Sequence, residues 1–262
     1  MFAKIKIMNG SVRKTFLSLA LIATVFTGAC STSADQQIMV GDIVIQDPLE
    51  ETNRAIFAMN TAIDNAIIHH IIDGYRFVVP ELARDGIGNF LTNLSSPVHL
   101  MNQILQGDVK GAVTVAERAM INSFVGLAGL FDVAGHEGIE HEGEDFGQTL
   151  AVWGVDHGPY LVIPVLGVGS TRDIVGNVVD GMADPLRWYV YNIDEEHLHY
   201  NRMGLSYLDL RDSLKDVLED LERSSIDYYA ATRSIYYQRR DAMVRDEGPE
   251  NASSGTADFD DF

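Results

Sequence analysis

The residue pattern predicts an all-helical chain, on three observations. Between residues 51 and 72, Ile56, Met59, Ile63, Ile67 and Ile71 recur at spacings of three and four, with Ile68 and Ile72 widening the stripe. Between residues 205 and 221, Leu210, Leu214, Val217, Leu218 and Leu221 share one face, with Asp, Glu, Lys and Arg opposite. The third observation is length. Past the leader, the most apolar stretch is 109–131, and its uncharged part, 119–131, has only 13 residues, too few to cross a bilayer.

The leader comes first. Lys4, Lys6, Arg13 and Lys14 precede residues 15–29 (TFLSLALIATVFTGA), an uncharged apolar run of 15 residues. At about 1.5 Å per residue it falls short of a hydrocarbon core of roughly 30 Å, which predicts an export signal that is removed. Cys30, the only cysteine, follows directly and has no partner for an internal disulfide. The arrangement resembles a bacterial lipoprotein signal, in which this cysteine is lipidated and becomes the mature N-terminus. Thr27 departs from the leucine usual three residues before it, and a second reading places cleavage after Ala34, with Thr32 and Ala34 as the small residues. Ser31 resembles the signal for release to the outer membrane. The expected division is 1–29 signal peptide, 30–46 lipidated tether, 47–245 helical domain and 246–262 acidic disordered tail.

Removing four positive charges and no negative ones from a chain of net charge −19 leaves −23 on 233 of the 262 residues. Nucleic acid needs a basic footprint and is excluded as a partner. Electrostatic attraction to anionic lipid is excluded too, so membrane association falls to acyl chains and apolar faces.

In chain order, weak alternation through Ile38, Val40, Ile43 and Ile45 predicts an extended end to the tether. Asp47 is expected as an N-cap, with Pro48 at the first helical position. The helix over 51–72 carries Asn53, Arg54, Asn60, Asp64 and Asn65 on its polar side; His69 and His70, about 100° apart, form a solvated pair. Residues 74–81 (GYRFVVPE) end that helix and begin another, which runs through Phe90. Residues 93–97 (NLSSP) are expected as a loop, 98–106 as helix and Gly107-Asp108 as its close. The 109–131 stretch is buried in a core or lies flat in an interface. Asp184-Pro185 starts another element, and 227–244 is helical, with Tyr228-Tyr229 and Tyr236-Tyr237 paired.

Residues 144–176 lack the period of a single helix or strand. Gly147, Gly154, Gly158, Gly167, Gly169 and Gly176 interrupt them, Pro159 and Pro164 fix the backbone, and Trp153 and Tyr160 sit between. This reads as a shaped surface or passage. No nucleophile, base and orienting group emerge from it, which points to a chain that moves or holds something without transforming it. In HEGIEHEGED (136–145), His136 and His141 are five apart, about 140° from sharing a helical face, and Gly135, Gly138 and Gly143 oppose a helix, so no metal is expected. Gly167-Val168-Gly169 lacks the lysine of a phosphate loop, and Gly-x-Ser-x-Gly does not occur. No cofactor is expected.

Six ordered motifs carry a resemblance: DPLEETNRAIFAMN (47–60), GYRFVVPE (74–81), NFLTNLSSPVHLMNQILQGD (89–108), INSFVGLAGLFDVA (121–134), EDFGQTLAVWGVDHGPYLVIPVLG (144–167) and STRDIVG (170–176). YYQRRD (236–241) adds to it. In this order they resemble the MlaA (VacJ) family of outer-membrane lipoproteins. The resemblance implies a ring-like set of amphipathic helices lying in one membrane leaflet, with a polar central passage. It implies removal of mislocalised phospholipids from the outer leaflet for retrograde transport toward the inner membrane, with no enzymatic step. Trimeric porins and a soluble periplasmic lipid carrier of the MlaC type are the implied partners. The chain would be lipid-anchored on the periplasmic side of the outer membrane.

On motif position, Cys30 is the expected lipid attachment. Asn53, Arg54, Asn60, Asp145, Phe146, Gly147, Gly154 and Gly158 are the expected passage or gate, although the three glycines serve equally as turn formers. Ile63, Ile67, Ile71, Phe124, Leu127 and Leu130 are the expected lipid-facing residues. A non-transporting scaffold lipoprotein that binds porins or other envelope partners shares the same periodicity and stays open. A periplasmic lipid hydrolase lacks a Ser, Cys or metal constellation.

Overall fold

The computed structural model describes residues 38–40, 43–141 and 143–246. The expected signal peptide, Cys30, the start of the tether and the tail beyond 246 lie outside the described residues.

Strands β1 (Ile38–Val40) and β2 (Ile43–Ile45) pair antiparallel, Ile38 opposite Ile45, as the alternation predicts. Helix α1 (Glu50–Ile63) follows, then a π-turn (Asp64–Ile68) and α2 (His69–Val78), in one uninterrupted rod. Met59, Ile63, Ile67 and Ile71 are four apart, and in a pure α-helix such a stripe drifts by about 40° per step. The wider π-turn sits where that drift has accumulated and offsets it.

Two expectations change here. Asp47 is not the N-cap; Leu49 holds that position and Asp47 turns inward to Arg233 and Tyr229. The first helix ends and the next begins within 74–81, as expected; the end does not fall at Gly74, because an interior glycine costs only about 1 kcal/mol. The end comes at Val79, which proline at the next position forces extended (φ −102°, ψ 114°). His69 is half-buried, its ring 3.3 Å from Asp73 and 3.5 Å from Glu219, whereas His70 is exposed.

Helix α3 (Glu81–Gln106) runs 26 residues straight through the expected NLSSP loop, with Pro97 inside it. Tertiary bonds override the loop-like composition. Asn93 Nδ2 donates to Ser123 Oγ (2.9 Å) and Arg202 to Ser95 Oγ (3.1 Å), while Ser95 Oγ donates back within the helix to the carbonyl of Leu91 (3.0 Å). Gly107 (φ 82°) ends α3 in the left-handed region, and Asp108 caps α4 (Val109–Phe124) by accepting from the amides of Lys110 and Gly111. The apolar 109–131 stretch is therefore one helix plus a tight loop, in which Leu127, Ala128 and Gly129 all take positive φ. A single turn, α5 (Val133–His136), closes it.

The glycine-rich 144–176 region resolves into α6 (Phe146–Val152), an antiparallel hairpin of β3 (Tyr160–Ile163) and β4 (Gly167–Ser170), and the start of α7 (Thr171–Ala183). Helix α8 (Pro185–Asn192) starts with proline in its first turn, behind an Asp184 cap. The expected helix ending at Leu221 is two: α9 (Glu196–Ser213) breaks at Leu214, and α10 (Lys215–Ser224) follows. Helix α11 (Tyr228–Val244) appears as expected. A small apolar core gathers Ile45, Tyr160, Val162, Tyr229 and Tyr237 where β2, the β3–β4 hairpin and α11 meet. No described helix is long and apolar enough to cross a membrane.

Candidate functional site

Water-soluble domains bury apolar side chains and expose charged ones. Among the described residues this chain does the reverse over much of its surface: sixteen buried polar or charged residues stand against ten buried apolar ones. Phe77 is 90 % exposed, Phe124 85 %, and Val78, Leu82 and Val109 each 74 %. The exposed set continues through Ile104, Val113 and Met120 on α3 and α4, and through Val125, Leu127 and Phe131 in the loop after α4. An apolar surface of this extent marks contact with another apolar phase or partner.

Paired charge holds the inside together. Arg240 reaches Asp145 at 2.6 Å and Asp173 at 3.0 Å, and Tyr236 donates to Asp173. Burial pushes the Asp145 carboxyl up, but the hydrogen bond and charge of Arg240, with the amide of Gln148, together hold the group below its ordinary value. Asp47 takes Arg233 and the Tyr229 hydroxyl. Arg211 clamps Asp64 with bonds of 2.8 and 2.6 Å, and Arg76 and Arg84 share Asp212. Each bridge ties elements distant in sequence.

Between α3 and α4 lies a cavity of about 140 Å³ with a mixed lining. Its α3 wall is the polar stripe Asn89, Thr92, Asn93, Ser96 and His99, at helical spacings of three and four; Val115, Arg118, Ala119 and Asn122 of α4 face it, with Asp132 and His141 beside them. Arg118 donates to Asp132 at 2.8 and 2.9 Å and to the carbonyl of Ile139. Burial first, then neighbouring His99 and Arg118, lowers His141 to about 4, so its ring is uncharged at neutral pH. His99 Nδ1 sits 2.7 Å from the backbone oxygen of Glu144, whose own carboxyl burial raises to about 7. Near the tip of the same helical pair, an apolar groove of about 330 Å³ is lined by Leu100, Ile104, Val109 and Val113.

The family model of the MlaA lipoprotein matches residues 45–243. The chain belongs to the MlaA lipoprotein family. It is 33 % identical over 231 residues to the intermembrane phospholipid transport system lipoprotein MlaA of Escherichia coli, covering 87 % of each chain. The protein of that name in Haemophilus influenzae is 29 % identical over 237 residues, covering 89 % of this chain and 91 % of its own. An uncharacterized protein of Rickettsia felis is 33 % identical over 213 residues, covering 80 % and 82 %. A solved structure, reported on the structural basis for maintenance of bacterial outer membrane lipid asymmetry, matches with a TM-score of 0.67 at 32 % identity, covering 76 % of this chain and 99 % of that one.

In this MlaA family member the sequence-predicted site residues fall into separate places. Asn53, 2 % exposed, donates to Asp47 (2.8 Å) and the carbonyl of Tyr160 (2.9 Å) and accepts from the amide of Val162 (3.0 Å). Asn60, two turns on, likewise grips the carbonyl of Ile163 and the amide of Val165. These amides complete the edge of β3 as a neighbouring strand would, so both side chains are engaged on the hairpin. Arg54 pairs with Glu50 and Asp227 and stacks over Tyr229 at 4.5 Å.

Asp145 caps α6 as well as pairing with Arg240, and the Phe146 ring meets Trp153 edge-on at 5.7 Å. Gly147 is a close-approach position: a Cβ on the facing Gly176 would lie 2.3 Å from its nitrogen. Gly154 (φ 89°) and Gly158 (φ 65°) are turn formers. Of the six expected lipid-facing residues, Ile67, Ile71, Phe124, Leu127 and Leu130 are exposed and Ile63 is half-buried. None of the expected passage residues lines the α3–α4 cavity. The signal that marks it, polar residues at 89, 92, 93, 96 and 99 on one helical face, vanishes when 93–97 is read as a loop.

Proposed function

We propose that this chain is a lipoprotein anchored through Cys30 on the periplasmic side of the outer membrane, which removes mislocalised phospholipids from the outer leaflet and passes them toward the inner membrane. The observation that supports this most is the inverted partition of side chains: apolar residues outside, paired charge inside, and no described helix able to span. A body so built lies in one leaflet with its apolar faces against acyl chains. It arranges its helices as a ring and carries a polar path for the head group. Charged head groups are costly in hydrocarbon, so a polar path lowers the barrier to crossing without any covalent step. The α3–α4 cavity, not Asn53 and Asn60, is the part of that path the proposal assigns. The names of the relatives in Escherichia coli and Haemophilus influenzae support the same reading. Trimeric porins hold the body in place, and a soluble carrier of the MlaC type accepts the lipid.

The test is outer-leaflet phospholipid content in deletion cells that carry wild-type, Cys30→Ala or Phe124→Asp protein, with expression and location checked. Deletion is expected to raise surface phospholipid and wild type to restore it. Cys30→Ala fails for want of an anchor. Phe124→Asp is expected to weaken correction by placing a carboxylate on the apolar face. Unchanged surface phospholipid on deletion, with no redundant transporter present, would replace transport with the scaffold role.

A further inference from the structure

We infer that the apolar groove at the tip of α3 and α4 is the seat of this chain's own acidic segment 258–262 (DFDDF), with Phe259 and Phe262 as the residues that enter it. Leu100, Ile104, Val109, Ala112 and Val113 line the groove, and Asp108 is its one charged lining residue. Ile104, Val109 and Val113 are exposed, so nothing among the described residues covers them. The space of about 330 Å³ is about twice the ~150 Å³ of a cavity that holds one benzene, which is room for two phenyl rings.

Two observations name the occupant. The first is the place where the described chain stops. Gln106, the last residue of α3, donates to Glu144 at 2.6 Å, and the next residue, Asp145, pairs with Arg240 of α11 at 2.6 Å. These bonds bring the end of α11 beside the α3–α4 turn. Burial, then the Asp108 carboxylate, raises Asp246, so the last described residue stands near the rim of the groove. Phe259 is thirteen residues further on, up to about 43 Å at roughly 3.3 Å each, ample for a groove built on two turns of α4. The second observation is charge. Residues 247–262, which lie outside the described residues, carry five carboxylates and two large apolar side chains, Phe259 and Phe262, set among Asp258, Asp260 and Asp261. Lys110, next to the groove residue Val109, is exposed and holds no carboxylate among the described residues. The charge of Asp108 is offset by the amides of Lys110 and Gly111, from which it accepts. Phenyl rings in the groove and aspartates on Lys110 match both features, whereas an acyl chain matches only the first. The segment is a strap over apolar surface that acyl chains would otherwise meet.

The test is photo-cross-linking of the full chain in its own membranes, with benzoylphenylalanine placed at position 259 or, as a control, at position 253. Adducts from 259 are expected at monomer mass, within residues 100–116 of the same chain, and about fivefold above those from 253. Val113→Asp in the groove should lower the yield from 259 about fivefold and Lys110→Glu on its rim about twofold. Val175→Asp, an equally exposed position on α7, should leave it unchanged. Adducts confined to lipid, to a second copy at twice the mass or to another protein overturn the inference, as does the lack of any adduct within 100–116. That readout comes from the labelled chain with no further substitution, so it needs no groove variant to fold. An unchanged yield in a natively folded Val113→Asp chain overturns the inference as well.

Discussion

Replacing Glu144 by glutamine removes a carboxyl that is 4 % exposed and takes a hydrogen bond from Gln106 Nε2 at 2.6 Å. Burial raises this group from 4.5 to about 7, against the opposing pull of Gln106. Between those two values the folded chain holds a proton that the unfolded chain has released. Stability therefore falls as pH rises through that window; the cost is absent below 4.5 and complete above about 7. At about 1.4 kcal/mol per unit, a window of roughly 2.5 units amounts to about 3 kcal/mol. In Glu144→Gln the amide oxygen still accepts from Gln106, and no proton is at stake. Thermal unfolding of the full chain in one detergent, from about pH 4 to about pH 8, isolates the effect because pH-independent consequences of the substitution cancel. The variant should gain about 3 kcal/mol on wild type across the range, roughly 6 to 12 °C in Tm for a chain of this size. Parallel Tm curves would show that Glu144 is solvated and ionised throughout, and the argument from burial would be wrong.

Arg240→Met leaves Asp145 and Asp173 facing each other without their shared cation, and should cost about 3–5 kcal/mol, read as a lowered urea midpoint. Gly176→Ala places a Cβ 2.3 Å from the nitrogen and 2.7 Å from the Cα of Gly147, so α6 and α7 must part. A loss of about 1–3 kcal/mol is expected, whereas Gly181→Ala on the same helix, with nothing within 4 Å, should be neutral or slightly stabilising in the same melt.

Helix identity was legible wherever apolar spacing persisted, as in α1 and α11. It failed where composition and tertiary context disagreed. Asn93, Ser95, Ser96 and Pro97 form a loop by every local rule, yet Asn93 and Ser95 are engaged from α4 and α9, Ser96 lines the cavity, and the helix continues through Pro97. The β3–β4 hairpin was hidden because Gly167-Val168-Gly169 offers no branched alternation; its missing edge bonds come from Asn53 and Asn60, about a hundred residues earlier. Periodicity located the stripe of Ile63, Ile67 and Ile71 but could not say whether it faces a core or lipid, since both demand the same spacing. The exposure of Ile67 and Ile71, with Ile72 fully buried beside them, decides which way the helix is turned.

That inverted partition also bears on how the fold responds to temperature. Unfolding an ordinary domain wets a large hidden apolar area, giving a heat-capacity increment of about 12–15 cal/mol/K per residue and a domed stability curve. Here much of that area is already outside and polar groups come out in its place, and these lower the increment. The curve should be shallow, with no pronounced optimum and a remote cold limit. Resistance to heat then depends less on water's aversion to hydrocarbon than on the exactness with which a few guanidinium groups meet their carboxylates.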